Sequence, residues 1–116
     1  MDYSKKYLKY KQKYTNLKRM FLVGWDNCGR YRNNNIIECE ITGISTNNNL
    51  NQLTVSFNNK INRKQNAVAQ YTVELNKDNT IKSDNIVILD NSEKYNTSAL
   101  ISLAYDYLIK NKQISP

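Results

Sequence analysis

Ile36-Ile37-Glu38-Cys39-Glu40-Ile41-Thr42, continuing to Thr46, is the stretch that decides the fold. Ile37, Cys39 and Ile41 fall on one face, and Glu38, Glu40 and Thr42 on the other. A period of two with one apolar and one polar face marks an antiparallel strand wetted on one side. Outward from it, Leu53, Val55 and Phe57 repeat the pattern, as do Ala67, Ala69, Tyr71, Val73 and Leu75. Ile86 to Leu89 reads as a last, continuous apolar strand, and Phe21 to Trp25 as a short apolar run ended by a turn-like Asp26-Asn27-Cys28-Gly29. Short strands in this number are too few for an immunoglobulin-type sandwich. A bent sheet closing into a small barrel buries one face with the least chain and removes most exposed edges.

Both flanks are helical in period. Residues 1–20 lack proline and glycine, and lysine, leucine and glutamine favour the helix. Tyr3, Tyr7, Tyr10, Tyr14 and Leu17 recur at alternating steps of four and three, continuing to Phe21. In residues 97–110, Leu100, Leu103, Ala104, Tyr107 and Leu108 share a face, with Ile101, Tyr105 and Ile109 widening the apolar arc and Asn96 placed as N-cap. Such a helix packs over the open end of the barrel, against the N-terminal helix or across a dimer interface. The expected fold class is therefore α+β. It has an N-terminal basic helix over 1–20, a small antiparallel β-barrel of about five strands over 21–90, and a C-terminal helix in 91–116.

Charge is concentrated at the start. Six lysines and Arg19 against Asp2 give residues 1–19 a charge of +6, leaving +1 for residues 20–116 of the formal +7. Phe, Tyr, Met, Ile, Asn and Lys dominate while Gly, Ala, Arg and Pro are scarce, as AT-rich codons dictate. The placement of Lys and Tyr therefore carries more information than their amount. With Tyr3, Tyr10 and Leu17 at d positions and Tyr7, Tyr14 and Phe21 at a positions, the e and g sites hold Lys6, Lys11, Lys13 and Lys18. Lysine would face lysine in a self-paired coiled coil, parallel or antiparallel. A homodimer is open, but not through that seam.

The stripe is expected to dock on the protein's own body, on an acidic protein partner or on nucleic acid, DNA or RNA. For the last, Lys5, Lys6, Lys9, Lys11, Lys13, Lys18 and Arg19 would neutralise phosphates while tyrosines stack. A membrane partner is not expected: no apolar stretch spans a bilayer and tyrosine is a shallow anchor. A secretory leader is not expected either, because no apolar run of sufficient length follows the cationic start.

Catalysis is not expected. Histidine is absent, and there is no nucleophile elbow, phosphate-cradling glycine loop or metal-ligand set. Glu38 and Glu40 share a strand face in the way any solvated face does. Cys28 and Cys39 cannot complete a structural zinc site, so neither metal nor cofactor is expected. A disulfide between them is sterically possible, but the expected state is a pair of reduced, partly buried thiols. The runs Asn33-Asn34-Asn35, Asn47-Asn48-Asn49 and Asn58-Asn59 read as loops, where asparagine tolerates a left-handed backbone.

Three resemblances add to this. Lys6-Tyr7-Leu8-Lys9-Tyr10-Lys11-Gln12-Lys13-Tyr14, followed by Leu17-Lys18, resembles a Tyr/Lys-rich motif at the start of many proteins of mimivirus-type giant DNA viruses. That resemblance implies a viral protein of the host cytoplasm (the viral factory) or the virion, not a secreted one. Gly24-Trp25, Tyr31, Tyr71-Thr72-Val73-Glu74-Leu75, the turn Asn76-Lys77-Asp78-Asn79 and the strand Asp84 to Asp90 together resemble SH3-like barrels of the Tudor and chromo-barrel type. This implies an SH3-like barrel, chromatin-like partners and an aromatic cage for methylated lysine or arginine at Trp25, Tyr31 and Tyr71. A long insertion between Phe57 and Tyr71 departs from that pattern. Asp84-Asn85-Ile86-Val87-Ile88 also resembles the closing motif of Sm-type RNA-binding barrels, with Lys82-Ser83 where that family has Arg-Gly. The expected function is a non-enzymatic binding module for nucleic acid or chromatin. The alternative is a structural or scaffolding viral protein that joins other proteins through its aromatic helices.

Overall fold

A computed structural model describes residues 27–116. The expected N-terminal helix over 1–20, with Lys5, Lys6, Lys9, Lys11, Lys13, Lys18 and Arg19, lies outside the described residues, as do the apolar run Phe21 to Trp25 and the cage candidate Trp25.

Six strands and one helix make up the described part: β1 (Asn27–Arg30), β2 (Ile36–Asn47), β3 (Gln52–Asn59), β4 (Ala69–Leu75), β5 (Ile81–Ile88), β6 (Lys94–Tyr95) and α1 (Thr97–Lys110). The strands form one antiparallel sheet in the order β5-β4-β3-β2-β1-β6. The chain leaves β5 on one edge of the sheet and, after residues 89–93, pairs with β1 on the other. That short link draws the edges together into a nearly closed, barrel-like sheet.

Alternation in the sequence became the inside and outside of this sheet. Leu53, Val55, Phe57, Ala69, Tyr71, Val73 and Leu75 are buried, together with Ile37 and Cys39. Their polar neighbours face out. The long strand β2 bends at a bulge between Ile41 and Gly43. Before the bulge β2 pairs with both β1 and β3; beyond it β3 alone continues alongside, and burial on β2 fades.

Three of the strands differ from the sequence reading. Residues 27–29 form β1, not a turn. Gly29 serves the close approach of β6: a Cβ there would collide with the Lys94 carbonyl oxygen and stand 2.8 Å from Tyr95 Cα. The pair Lys94-Tyr95, read as the approach to a helix, is β6, so the sheet runs past residue 90. β5 is longer than the apolar run suggested, and Val87 and Leu89 face solvent at 44% and 48% exposure.

The cysteines require a further correction. Cys28 on β1 and Cys39 on β2 are joined as a disulfide, with Cα atoms 5.7 Å apart and both side chains buried. Reading Cys28 as a turn residue hid the fact that it lies on the strand beside Cys39, at a separation that suits a bridge.

Helix α1 packs on β1, β4 and β5 by Leu100, Ile101, Ala104, Tyr105 and Leu108, while Tyr107 faces solvent. Asn96 caps it as expected, its side chain accepting from Ala99 N at 3.1 Å. It ends in a Schellman-type pattern: Gln113 N donates to Leu108 O at 2.9 Å and Lys112 N to Ile109 O at 3.0 Å. Lys112 takes the left-handed position, φ 57°, that glycine usually fills. The tail then turns onto the β4–β5 turn, burying Ile114, with Ser115 N donating to Asn79 O at 2.9 Å.

Candidate functional site

Because successive strands alternate in direction, the β1–β2, β3–β4 and β5–β6 connections emerge at one end of the sheet. The β1–β2 connection is a tight hairpin: Tyr31 N donates to Asn35 O at 2.8 Å and Asn34 N to Tyr31 O at 2.9 Å. Asn34 supplies the left-handed residue, φ 70°, and the Asn33 side chain accepts from Asn35 N at 3.1 Å. The asparagine run is thus a set of turn devices, as expected.

Asn58 and Asn59 are different. Both end β3 and are buried, Asn59 completely. Asn58 Oδ1 accepts from Lys64 N at 3.0 Å, while its amide donates to Lys64 O at 2.9 Å. Asn59 Oδ1 accepts from Ile61 N at 3.1 Å and Asn62 N at 2.9 Å, and its amide donates to Tyr31 Oη at 2.8 Å. These two side chains fold the β3–β4 loop back on itself and tie it to the hairpin. Asn62 Nδ2 adds a second bond to Tyr31 Oη at 2.7 Å.

The third connection joins through Arg32. Its backbone N–H donates to Glu93 Oε2 at 2.8 Å, and its Nε donates to Ser92 O at 2.9 Å. Beneath them Asp90 accepts from the Ser92 hydroxyl and backbone and from Tyr95 Oη at 3.0 Å. The Ser92 hydroxyl bond, helped by the Ser92 backbone, Tyr95 and nearby Lys64, holds the Asp90 carboxyl below its usual range against partial burial. Burial, and then the Asp90 carboxylate, push the Tyr95 phenol well above its usual range.

Between these loops lies a cleft of about 410 Å³ lined by Tyr31, Arg32, Asn33, Asn35, Asn62 and Glu93. Arg30 ends β1 and donates from its guanidinium to Asn34 O in the hairpin at 2.8 Å, while Lys60, Arg63 and Lys64 lie in the β3–β4 loop. Arg63, largely in water, meets the half-buried Glu40 at 3.6 Å, a pairing that holds neither firmly. The cleft is lined by one tyrosine ring, amide groups, one guanidinium and one carboxylate, and the loop that carries Asn62 also carries Lys60, Arg63 and Lys64.

Of the two cage candidates among the described residues, Tyr31 lines this cleft and Tyr71 does not. Tyr71 is buried on β4, with its hydroxyl donating to Asp84 Oδ2 at 2.7 Å, so its ring belongs to the core. The sequence reading passed over Arg32, Asn59, Asn62 and Glu93. The cluster Lys60-Ile61-Asn62-Arg63-Lys64 was the available signal, set in what looked like a mere insertion. Among the described residues no group of three or more His, Cys, Asp or Glu side chains is placed to hold a metal ion. No helix among them is long and apolar enough to cross a membrane.

Comparison with protein-family models, curated proteins and solved structures returned no match.

Proposed function

We propose that the protein is a non-catalytic nucleic-acid-binding module of the SH3-like barrel kind, holding a single strand at the Tyr31 cleft. The observation that supports this best is the cleft itself. Its aromatic ring and amide-rich lining suit an unpaired base, and Arg32 in that lining, with Lys60, Arg63 and Lys64 on the loop that carries Asn62, suits its phosphates. The lysine-rich segment 1–19 adds further phosphate contacts on the same strand. A methyl-lysine cage has less support, because Tyr71 is committed to the core. The resemblance of the first residues to giant-virus proteins supports a viral origin. Within that reading the disulfide favours the virion, where such bonds persist, over the reducing cytoplasm.

The test is salt-dependent binding of the full chain to a labelled single strand, compared with a variant in which Lys5, Lys6, Lys9, Lys11, Lys13 and Lys18 are all glutamine. Losing four or five phosphate contacts makes the log–log salt slope shallower by about 3, from ~0.7 per contact on single strands. No binding by the unmodified chain at low salt would overturn the proposal and leave the scaffolding alternative. An unchanged slope would remove the basic segment from it.

A further inference from the structure

Glu93 is out of place in a site built only for a polyanion. It lines the cleft beside Arg32, and the two are fixed side by side, since the Arg32 backbone N–H donates to Glu93 Oε2 at 2.8 Å and Arg32 Nε to Ser92 O at 2.9 Å. That arrangement leaves the two terminal amino groups of Arg32 and the Oε1 of Glu93 without a hydrogen bond among the described residues. Oε2 also keeps a second lone pair. Strong donors and a strong acceptor thus stand together at the lip of the cleft.

A phosphate brought against Glu93 meets a like charge. The loop that carries Lys60, Arg63 and Lys64 is the better place for it. The cleft itself suits an uncharged group that offers an acceptor next to donors on a single edge. Among the nucleobases guanine meets this most fully. Its O6 accepts, and the adjoining N1–H and N2–H₂ both donate, so a carboxylate takes two hydrogen bonds while an arginine takes O6. Adenine and cytosine offer that carboxylate only an exocyclic amine, and uracil only N3–H. The edge concerned is the one used in Watson–Crick pairing, which is open only in an unpaired strand.

We infer that the cleft selects an unpaired guanine, with Arg32 and Glu93 reading its Watson–Crick edge. The inference rests on the nucleic-acid reading above and names the base that this site prefers. Asn59 is a positioning residue for it: fully buried, it ties the Asn62 loop to Tyr31 and so fixes two of the residues that line the cleft.

The experiment uses the full chain and four labelled oligouridylates of equal length, whose central residue is guanine, adenine, cytosine or uracil. The guanine strand should bind about tenfold more tightly than the other three, within the range for a two-bond base contact. Glu93→Gln should bring the guanine strand to the level of the adenine strand. Glutamine can still accept from Arg32 N, but its amide then sets a donor against the donors of guanine. Equal affinity for the four strands, or preference for another base, overturns the guanine inference and leaves the nucleic-acid reading standing. Failure of every strand to bind at low salt overturns both.

Discussion

The two ends of the sheet are built from the same kinds of residue, and their side chains reach different kinds of partner. At one end the hairpin at Tyr31, the loop at Asn62 and the link at Glu93 are joined by side chains: Asn59 to Tyr31, Asn62 to Tyr31, and Arg32 to the link through its side chain and the Glu93 carboxylate. At the other end the bonds between segments finish on backbone carbonyls. Leu75 N donates to Asn51 O at 2.9 Å and the Asn51 amide to Leu75 O at 2.7 Å, while Ser115 in the tail after α1 donates from its N to Asn79 O at 2.9 Å and from its hydroxyl to Asp78 O at 3.1 Å. Bonds that finish on the backbone draw one main chain against another. Side-chain ties hold loops apart at arm's length, and a cleft remains between them. The difference teaches that asparagine content alone says nothing of function. What counts is whether the amide reaches another side chain, as Asn59 and Asn62 reach Tyr31, or a backbone carbonyl, as Asn51 reaches Leu75.

The contrast can be broken from the sheet upward. Reducing the disulfide, or replacing Cys28 and Cys39 by alanine, removes the constraint between β1 and β2, on which the first end depends. For a closed loop of this length the chain-entropy account gives a loss of about 2–3 kcal/mol. Chemical denaturation with and without reductant measures it. A midpoint that does not move would mean that strand pairing alone fixes the hairpin.

A more local change sharpens the contrast. Asn59→Ala strips a partner from Ile61 N, Asn62 N and Tyr31 Oη together, at a cost of about 2 kcal/mol, since the freed loop amides regain water. Amide exchange should rise at Ile61 and Asn62 and stay unchanged at Gln113 and Ser115. Equal loss of protection at both ends would show that they open as one unit.

Much of this architecture was readable from residue pattern. Alternation in residues 36–46, 53–57 and 67–75 marked β2, β3 and β4, and the span of α1 with its Asn96 cap followed from helical period. The misses share a cause. β1 and β6 are too short to show a period, and Gly29 looked like a turn because the backbone it accommodates lies sixty-odd residues further along the chain. The disulfide was hidden with β1. The site was legible only in outline. Tyr31 stood out as an aromatic, whereas the cations Lys60, Arg63 and Lys64 were passed over within an apparent insertion. Their partners Asn59 and Glu93 carry no local signal, because each acts through a contact that exists only after the sheet has closed. Tyr71 was misplaced for the converse reason: its strand period already put it inside with Val73 and Leu75, and the cage reading set that aside.

The central claim is that binding belongs to the Tyr31 end and not to positive charge at large. Two matched charge reversals in the full chain test it, Arg63→Glu with Lys64→Glu at that end, and Lys77→Glu with Lys82→Glu on and beside the β4–β5 turn. Both change the net charge equally, and all four side chains are exposed. Titration of a labelled single strand at one fixed salt concentration should show affinity falling about tenfold or more for the first pair and less than about twofold for the second. Equal losses from the two pairs would contradict the account.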